Sequence, residues 1–141
     1  MRFMVIVKAN PETENGQMPT AEELTDMGNF NEELVKAGVM LAGDGLYPSA
    51  QGARVRFDDK GATTVIDGPF TEAKELIAGY WIWELPALAD AVEWLKKAPF
   101  QGGEVEIRQI HGPEAFEGVL TDEHKAQEDR LREQITQQTS Q

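Results

Sequence analysis

The chain has no cysteine. That removes disulfides, thiolate nucleophiles, zinc fingers and iron–sulfur clusters at once. Positive charge is scarce: 13 Lys and Arg stand against 25 Asp and Glu, a formal net charge of −12. The basic residues are scattered singly or in pairs, so nothing offsets an acidity that repels phosphate backbones and anionic membrane surfaces. Binding to nucleic acid or to a membrane is therefore not expected. Long apolar runs are also missing. The run from Phe3 to Val7 is too short for the core of a signal peptide, and far short of the ~18 residues of a membrane helix. A cytoplasmic location is the expectation. There is no P-loop and no glycine-rich dinucleotide turn, "GDG" and "GG" being too short. The histidines are two, His111 and His124. With no cysteine to join them they make no specific metal site, and no cofactor is expected.

What is present is a chain of 141 residues, enough for one domain with a real core. "RFMVIVK" (2–8) is apolar on both faces, which reads as a strand covered on both sides. "NPETENGQMP" (10–19) reads as a loop. "TAEELTDMGNFNEELVKAG" follows as a helix. Thr20 and Glu23 have capping-box spacing, Leu24, Met27 and Leu34 form a stripe with Phe30 beside it, and Gly38 is placed to end it. Residues 39–49 read as a strand and a glycine-punctuated bend around Asp44. Residues 53–70 read as a hairpin, with Val55 and Phe57 pointing one way and Arg54 and Arg56 the other. "TEAKELI" is a short helical turn. In "GYWIWEL" (79–85), Tyr80, Ile82 and Glu84 share one face, and Trp81, Trp83 and Leu85 the other. Residues 86–98 form a helix that opens at Pro86, and 104–110 are the last core strand. The chain divides into a domain of residues 1–111 and a polar extension of 112–141, helical near 121–137.

The order is β, α, β with a hairpin, β, α, β. This is the ferredoxin-like β-α-β-β-α-β plan of an α+β protein, with two helices on one face of an antiparallel sheet. The other face has no cover within the chain. Yet strands 2–8 and 79–85 carry large apolar residues on both sides. A second copy packed sheet to sheet, a homodimer, covers that surface.

The candidate site residues surround "DGPFTEAKE" (67–75). Turn chemistry accounts for Gly68, Pro69 and Thr71. It accounts less well for Lys74 beside three carboxylates. Asp67 is either the acid of an Asx turn or a catalytic carboxylate. Arg54 and Arg56 need partners, either carboxylates such as Asp67, Glu84 or Glu106, or an anionic ligand. Tyr80, Trp81 and Trp83 either wall an apolar pocket or pack in the core and interface. His111, at the end of the last strand, is the candidate acid–base group near neutral pH or a surface residue. The expected site is a cleft between sheet and helices walled by Tyr80 and Trp83. Asp67 and His111 are its catalytic candidates. Asp44, Arg54, Arg56 and Lys74 are its ligand-binding candidates, and no metal is expected.

"GDGLYPSAQGARVRF", "VIDGPFTEAKELIAGYWIWEL", "ADAVEWLKKAP" and "GEVEIRQI" together resemble the YCII-related family in its DGPF-domain branch, across residues 2–110. The resemblance implies a dimeric α+β barrel of ferredoxin-like subunits. It implies no single reaction. Some members look like small enzymes, while DGPF members are often encoded beside extracytoplasmic-function sigma factors, which implies a regulatory role. Relatives near the family's namesake carry a His–Asp pair early in the chain. This sequence departs from them, because its histidines come after the last core strand or at its end. Where the family has an acid in the bend at 43–46, commonly Glu, Asp44 keeps the carboxylate. Two functions are expected from these readings. One is a small-molecule-binding dimer, acting if an enzyme by carboxylate acid–base chemistry on a small polar or anionic substrate. The other is a non-catalytic regulatory partner protein.

Overall fold

The computed structural model of the chain describes residues 1–72 and 75–139. Four strands build the main sheet: β1 (Arg2–Lys8), β2 (Met40–Gly45), β5 (Ile77–Glu84) and β6 (Val105–Gln109). They lie in the order β2-β5-β1-β6, every neighbour antiparallel. Counted along the main sheet alone, that is the second, third, first and fourth strand, the ferredoxin-like arrangement. Strands β3 (Ala53–Phe57) and β4 (Thr63–Asp67) pair only with each other, as a hairpin inserted between β2 and β5.

The helices follow from local signals. A one-turn helix α1 (Pro11–Glu14) stands where a loop was expected. Asn10 accepts from the Thr13 N–H at 2.8 Å, and Thr13 Oγ1 accepts from the Asn10 N–H at 2.9 Å, so reciprocal capping holds a turn that composition alone did not suggest. Helix α2 (Ala21–Lys36) starts at Thr20, whose hydroxyl accepts from the Glu23 N–H at 3.1 Å. It stops before Gly38, which sits at φ +73° as a helix-ending residue often must. Helix α3 (Leu88–Leu95) begins later than expected. Ala87 is its cap residue and contributes no side-chain bond, which leaves Pro86 outside the helix.

Alternation along the strands sorts the core. Phe3 pairs with Trp83 and Val5 with Trp81. These four pack under Phe30 and Leu34 of α2 and Ala91 of α3. Phe30 meets Trp81 edge-on at 5.9 Å between ring centroids, and Trp81 lies 5.5 Å from Trp83. The intervening residues face the other way. Met4 pairs with Ile82 and Ile6 with Tyr80, and none of these four belongs to the helix-side core. Beside them on β6, Glu106 sits 3.1 Å from Lys8 and 3.9 Å from Arg108. The second face is thus an apolar strip with a border of both charge signs.

The chain divides into two compact units, residues 1–110 and 111–141. The second contains a 3₁₀ turn (Pro113–Phe116) and helix α4 (Asp122–Thr139), which buries no residue. Thr121 and His124 cap α4 reciprocally: Thr121 Oγ1 accepts from the His124 N–H at 3.2 Å, and His124 Nδ1 accepts from the Thr121 N–H at 3.1 Å. That accounts for one of the two histidines. Among the described residues no helix is long and apolar enough to cross a membrane.

Candidate functional site

The glycines of β2 and β5 open a space in the first unit. Gly43, Gly45 and Gly79 lie on the helix side of the sheet, in step with Trp81. A Cβ at Gly43 would meet the Trp81 ring at 2.6 Å, so that glycine makes room for the indole, while at Gly45 and Gly79 the nearest atoms to an added Cβ are main chain and the space above them stays open. The result is a cavity of about 230 Å³. Met27 and Asn31 of α2, Val7, Trp81 and Phe100 wall it, and the main chain of 43–45 and 79–80 forms its floor. Trp81 and Phe100 meet edge to face at 6.0 Å. A larger hollow of about 400 Å³ lies between α3 and β6, lined by Leu88, Val92, Leu95, Lys96, Val105 and Ile107. Among its described lining residues Lys96 is the one polar side chain, with no second group to converge on a ligand, so the glycine-floored cavity is the better site.

Asn31 is the polar side chain on the helix side of this cavity. Its Oδ1 accepts the indole N–H of Trp81 at 2.9 Å. Sequence reasoning missed it, although a signal was present. Asn31 follows Met27 by four residues and precedes Leu34 by three, so it is a polar residue inside an apolar stripe.

Asp44 and Tyr80 border the cavity and are cross-strand partners. The Tyr80 hydroxyl donates to Asp44 Oδ2 at 3.2 Å, long for a bond between two oxygens. Tyr80 alternates with Trp81, so this pair meets on the far face and reaches the cavity through its main chain. The bond to Asp44 raises the Tyr80 pKa above its ordinary 10.0, with repulsion between phenolate and carboxylate and then desolvation adding to it. Tyr80 therefore stays a proton donor and serves poorly as a base. A raised folded-state pKa gives stability that is present below the unfolded value near ~10 and fades as pH climbs through the folded value. Asp44→Asn is expected to bring the Tyr80 titration down toward 10.0 and to reduce that alkaline loss. Near-ultraviolet phenolate absorbance, followed against pH in both proteins, checks it.

The other candidates lie elsewhere. Trp83, expected at the wall, is fully buried in the core, and Trp81 takes that place. Its position opposite Phe3 in the centre of the sheet leaves it no access to a ligand. Arg54 and Arg56 sit on the exposed hairpin and do not line the cavity. The Arg54 guanidinium lies 3.8 Å over the Phe70 ring and 3.6 Å from Glu72. Its partner is thus Glu72, in place of the Asp67, Glu84 or Glu106 considered from sequence. Both side chains are about half exposed, at 45% and 58%, so the ion pair contributes at most about 1 kcal/mol. Asp67 ends β4 and is exposed. His111 falls in the second unit, its ring 5.0 Å from that of Phe116. Lys74 lies outside the described residues.

The segment around Asp67 is a seat for the chain. The Phe70 N–H donates to Ser49 Oγ at 3.0 Å, and that hydroxyl donates to Glu14 Oε2 at 2.5 Å. The Ser49 N–H donates to Glu14 Oε1 at 3.1 Å. The Gly68–Pro69 peptide is cis, and the Gly68 N–H bonds the Gly52 carbonyl at 3.0 Å. Glu14 thereby ties α1 to the turn at 49–51, and Ser49 ties that turn to Phe70. These contacts give Gly68 and Phe70 a structural purpose without calling on chemistry at Asp67.

The YCII-related domain matches residues 1–112. The chain belongs to the YCII-related family. An uncharacterised protein of Rhizobium meliloti (strain 1021) is 29% identical over 90 residues, which are 62% of this chain and 72% of that protein. Among solved structures, the YCII chain is similar to 5-chloro-2-hydroxyhydroquinone dehydrochlorinase from Burkholderia phenoliruptrix AC1100, in complex with 2,5-dihydroxybenzoquinone. The two share 18% identity and a TM-score of 0.40, over 81% of this chain and 98% of the other. The YCII match takes in all the strands and every residue that lines the cavity.

Proposed function

We propose that this protein binds a small molecule in the cavity between α2 and the sheet, and that it does so as a homodimer. The carrying observation is the cavity itself, open above Gly45 and Gly79 and walled by Trp81, Phe100, Met27 and Val7. Its volume lies below the ~300–1,000 Å³ of drug-sized sites, so the ligand is small. Among the described residues that line it, none is a cation. In a chain of net charge −12 this disfavours an anion and favours a neutral molecule.

The homodimer reading is supported by the second face of the sheet. Met4 and Ile82, both half-buried in the single chain, flank the buried Ile6 there, and Lys8, Glu106 and Arg108 border this apolar strip with both signs of charge. A border of mixed sign is self-complementary across a two-fold axis, which is what a second copy of the same surface requires.

The cavity admits a direct test. A Cβ on Gly45 meets nothing closer than the Ala78 carbonyl oxygen at 4.0 Å. Gly45→Leu is therefore expected to fold normally and fill the space. In a thermal-shift screen of small metabolites, a ligand at ~100 times its dissociation constant stabilises the wild type by roughly 2.7 kcal/mol. The same ligand is expected to leave Gly45→Leu unshifted. A ligand that stabilises both proteins equally contradicts the cavity as the site.

One observation favours a second reading, a non-catalytic partner protein of the sigma-factor-linked kind that the family resemblance implies. The hairpin exposes Val55 (52%), Phe57 (68%) and Val65 (65%) on one face, and its arginines form no concave cluster with Asp67. A blank across the whole screen moves the balance to that reading.

A further inference from the structure

Asn31 says what kind of molecule the cavity is built for. Its Oδ1 takes the Trp81 indole N–H at 2.9 Å. An indole nitrogen only donates, so it fixes which way the amide points. The oxygen must face Trp81, and the NH₂ must be the other end. Among the hydrogen bonds of the described residues, none uses Asn31 Nδ2. Asn31 is half-buried and lines the cavity. The remaining side chains on that side of the sheet, Val7, Met27, Trp81 and Phe100, offer no acceptor to match it apart from weak methionine sulfur and ring faces. A donor with two hydrogens is thus held over an aromatic, mainly apolar space.

We propose that the cavity takes a small, flat, neutral, largely apolar molecule with a strong hydrogen-bond acceptor, of the aryl carbonyl class. The ring lies against Trp81 and Phe100, and the carbonyl oxygen accepts from Asn31 Nδ2. This rests on the reading of the cavity as a ligand site and adds its chemical class. Asn31 is then the specificity residue. Its other hydrogen bond, to Trp81, keeps the amide from rotating to present oxygen in place of NH₂. A site built around a fixed donor discriminates against ligands that lack the acceptor, because the donor is then left buried and unpaired.

Isothermal titration with three compounds of similar shape tests this. Acetophenone has the acceptor, ethylbenzene has no polar group, and 1-phenylethylamine brings an ammonium. The wild type is expected to bind acetophenone about tenfold or more tightly than ethylbenzene. Asn31→Asp keeps an oxygen for the Trp81 indole but replaces the free donor with an acceptor. It is expected to lose the preference for acetophenone and gain one for 1-phenylethylamine. Equal binding of acetophenone and ethylbenzene by the wild type, with both blocked in Gly45→Leu, overturns the ligand class and leaves the cavity as a site. A preference for acetophenone that survives in Asn31→Asp overturns the role of Asn31. Failure of all three to bind the wild type, or binding indifferent to Gly45→Leu, overturns the cavity reading and this proposal with it.

Discussion

Gly68→Ala is expected to destabilise the protein by about 3 kcal/mol or more. An added Cβ would lie 1.7 Å from the Ser49 carbonyl oxygen, 2.6 Å from its carbonyl carbon and 3.2 Å from the Ala50 nitrogen. These are backbone atoms, and no rotamer change moves them aside. The two segments must separate, which strains the Phe70 N–H bond to Ser49 and loosens the hold of Glu14 on both. For a chain of this size, thermal unfolding is expected roughly 10 °C lower. Gly52→Ala is the matched control, since its Cβ meets the same Ser49 oxygen at an ordinary 3.5 Å and its backbone is extended. Equal melting temperatures for the two variants would show that the close crossing at Gly68 does not hold the turn in place.

Ile82→Lys is expected to convert the proposed homodimer to a folded monomer. Ile82 stands in the middle of the second sheet face, opposite Met4 on one side and Ala42 on the other. In a two-fold interface each substitution occurs twice, so two ammonium groups would enter an apolar strip without partners. Burying unpaired charge costs several kcal/mol, which raises the dimer dissociation constant at least about a hundredfold. The monomer tolerates the change, because a lysine stem can run along the strip with its charge in water. Sedimentation velocity reads the outcome directly: twice 15.7 kDa for the wild type and 15.7 kDa for the variant. A wild type that sediments at 15.7 kDa at every concentration contradicts the homodimer.

The fold was legible because strand and helix periods leave plain marks. Alternation in "GYWIWEL" assigns Trp81 and Trp83 to one face and Tyr80 and Ile82 to the other, and the register with β1 agrees. The capping residue of α2 and its glycine stop are local and readable. The one-turn α1 was missed because its signal is a reciprocal pair, Asn10 with Thr13, inside a segment whose prolines and glycine argue for a loop. The site was less legible. Tyr80 and Asp44 do border the cavity. Trp83 does not, because alternation says which face a residue takes but not whether that face is open at its height along the strand. The space lies toward the glycine end of β5, and Trp83 lies toward the packed end. Arg54 and Arg56 drew attention as charges, yet charges draw attention most where they are solvated. The residue proposed to read the ligand, Asn31, is an ordinary amide, visible only as an interruption of the Met27–Leu34 stripe.

The proposed seat of the small molecule lies between Asn31, Trp81 and Phe100. Nitrogen-15 spectra of the labelled protein, recorded as acetophenone is added, test it most directly. The chain has three tryptophans, so the indole N–H signals are few and assignable. The Trp81 indole and the Asn31 side-chain amide are expected to shift together and saturate, while the Trp94 indole, outside the cavity, stays in place. Saturable shifts confined to the hairpin at Val55 and Phe57, with Trp81 and Asn31 unmoved, would contradict it.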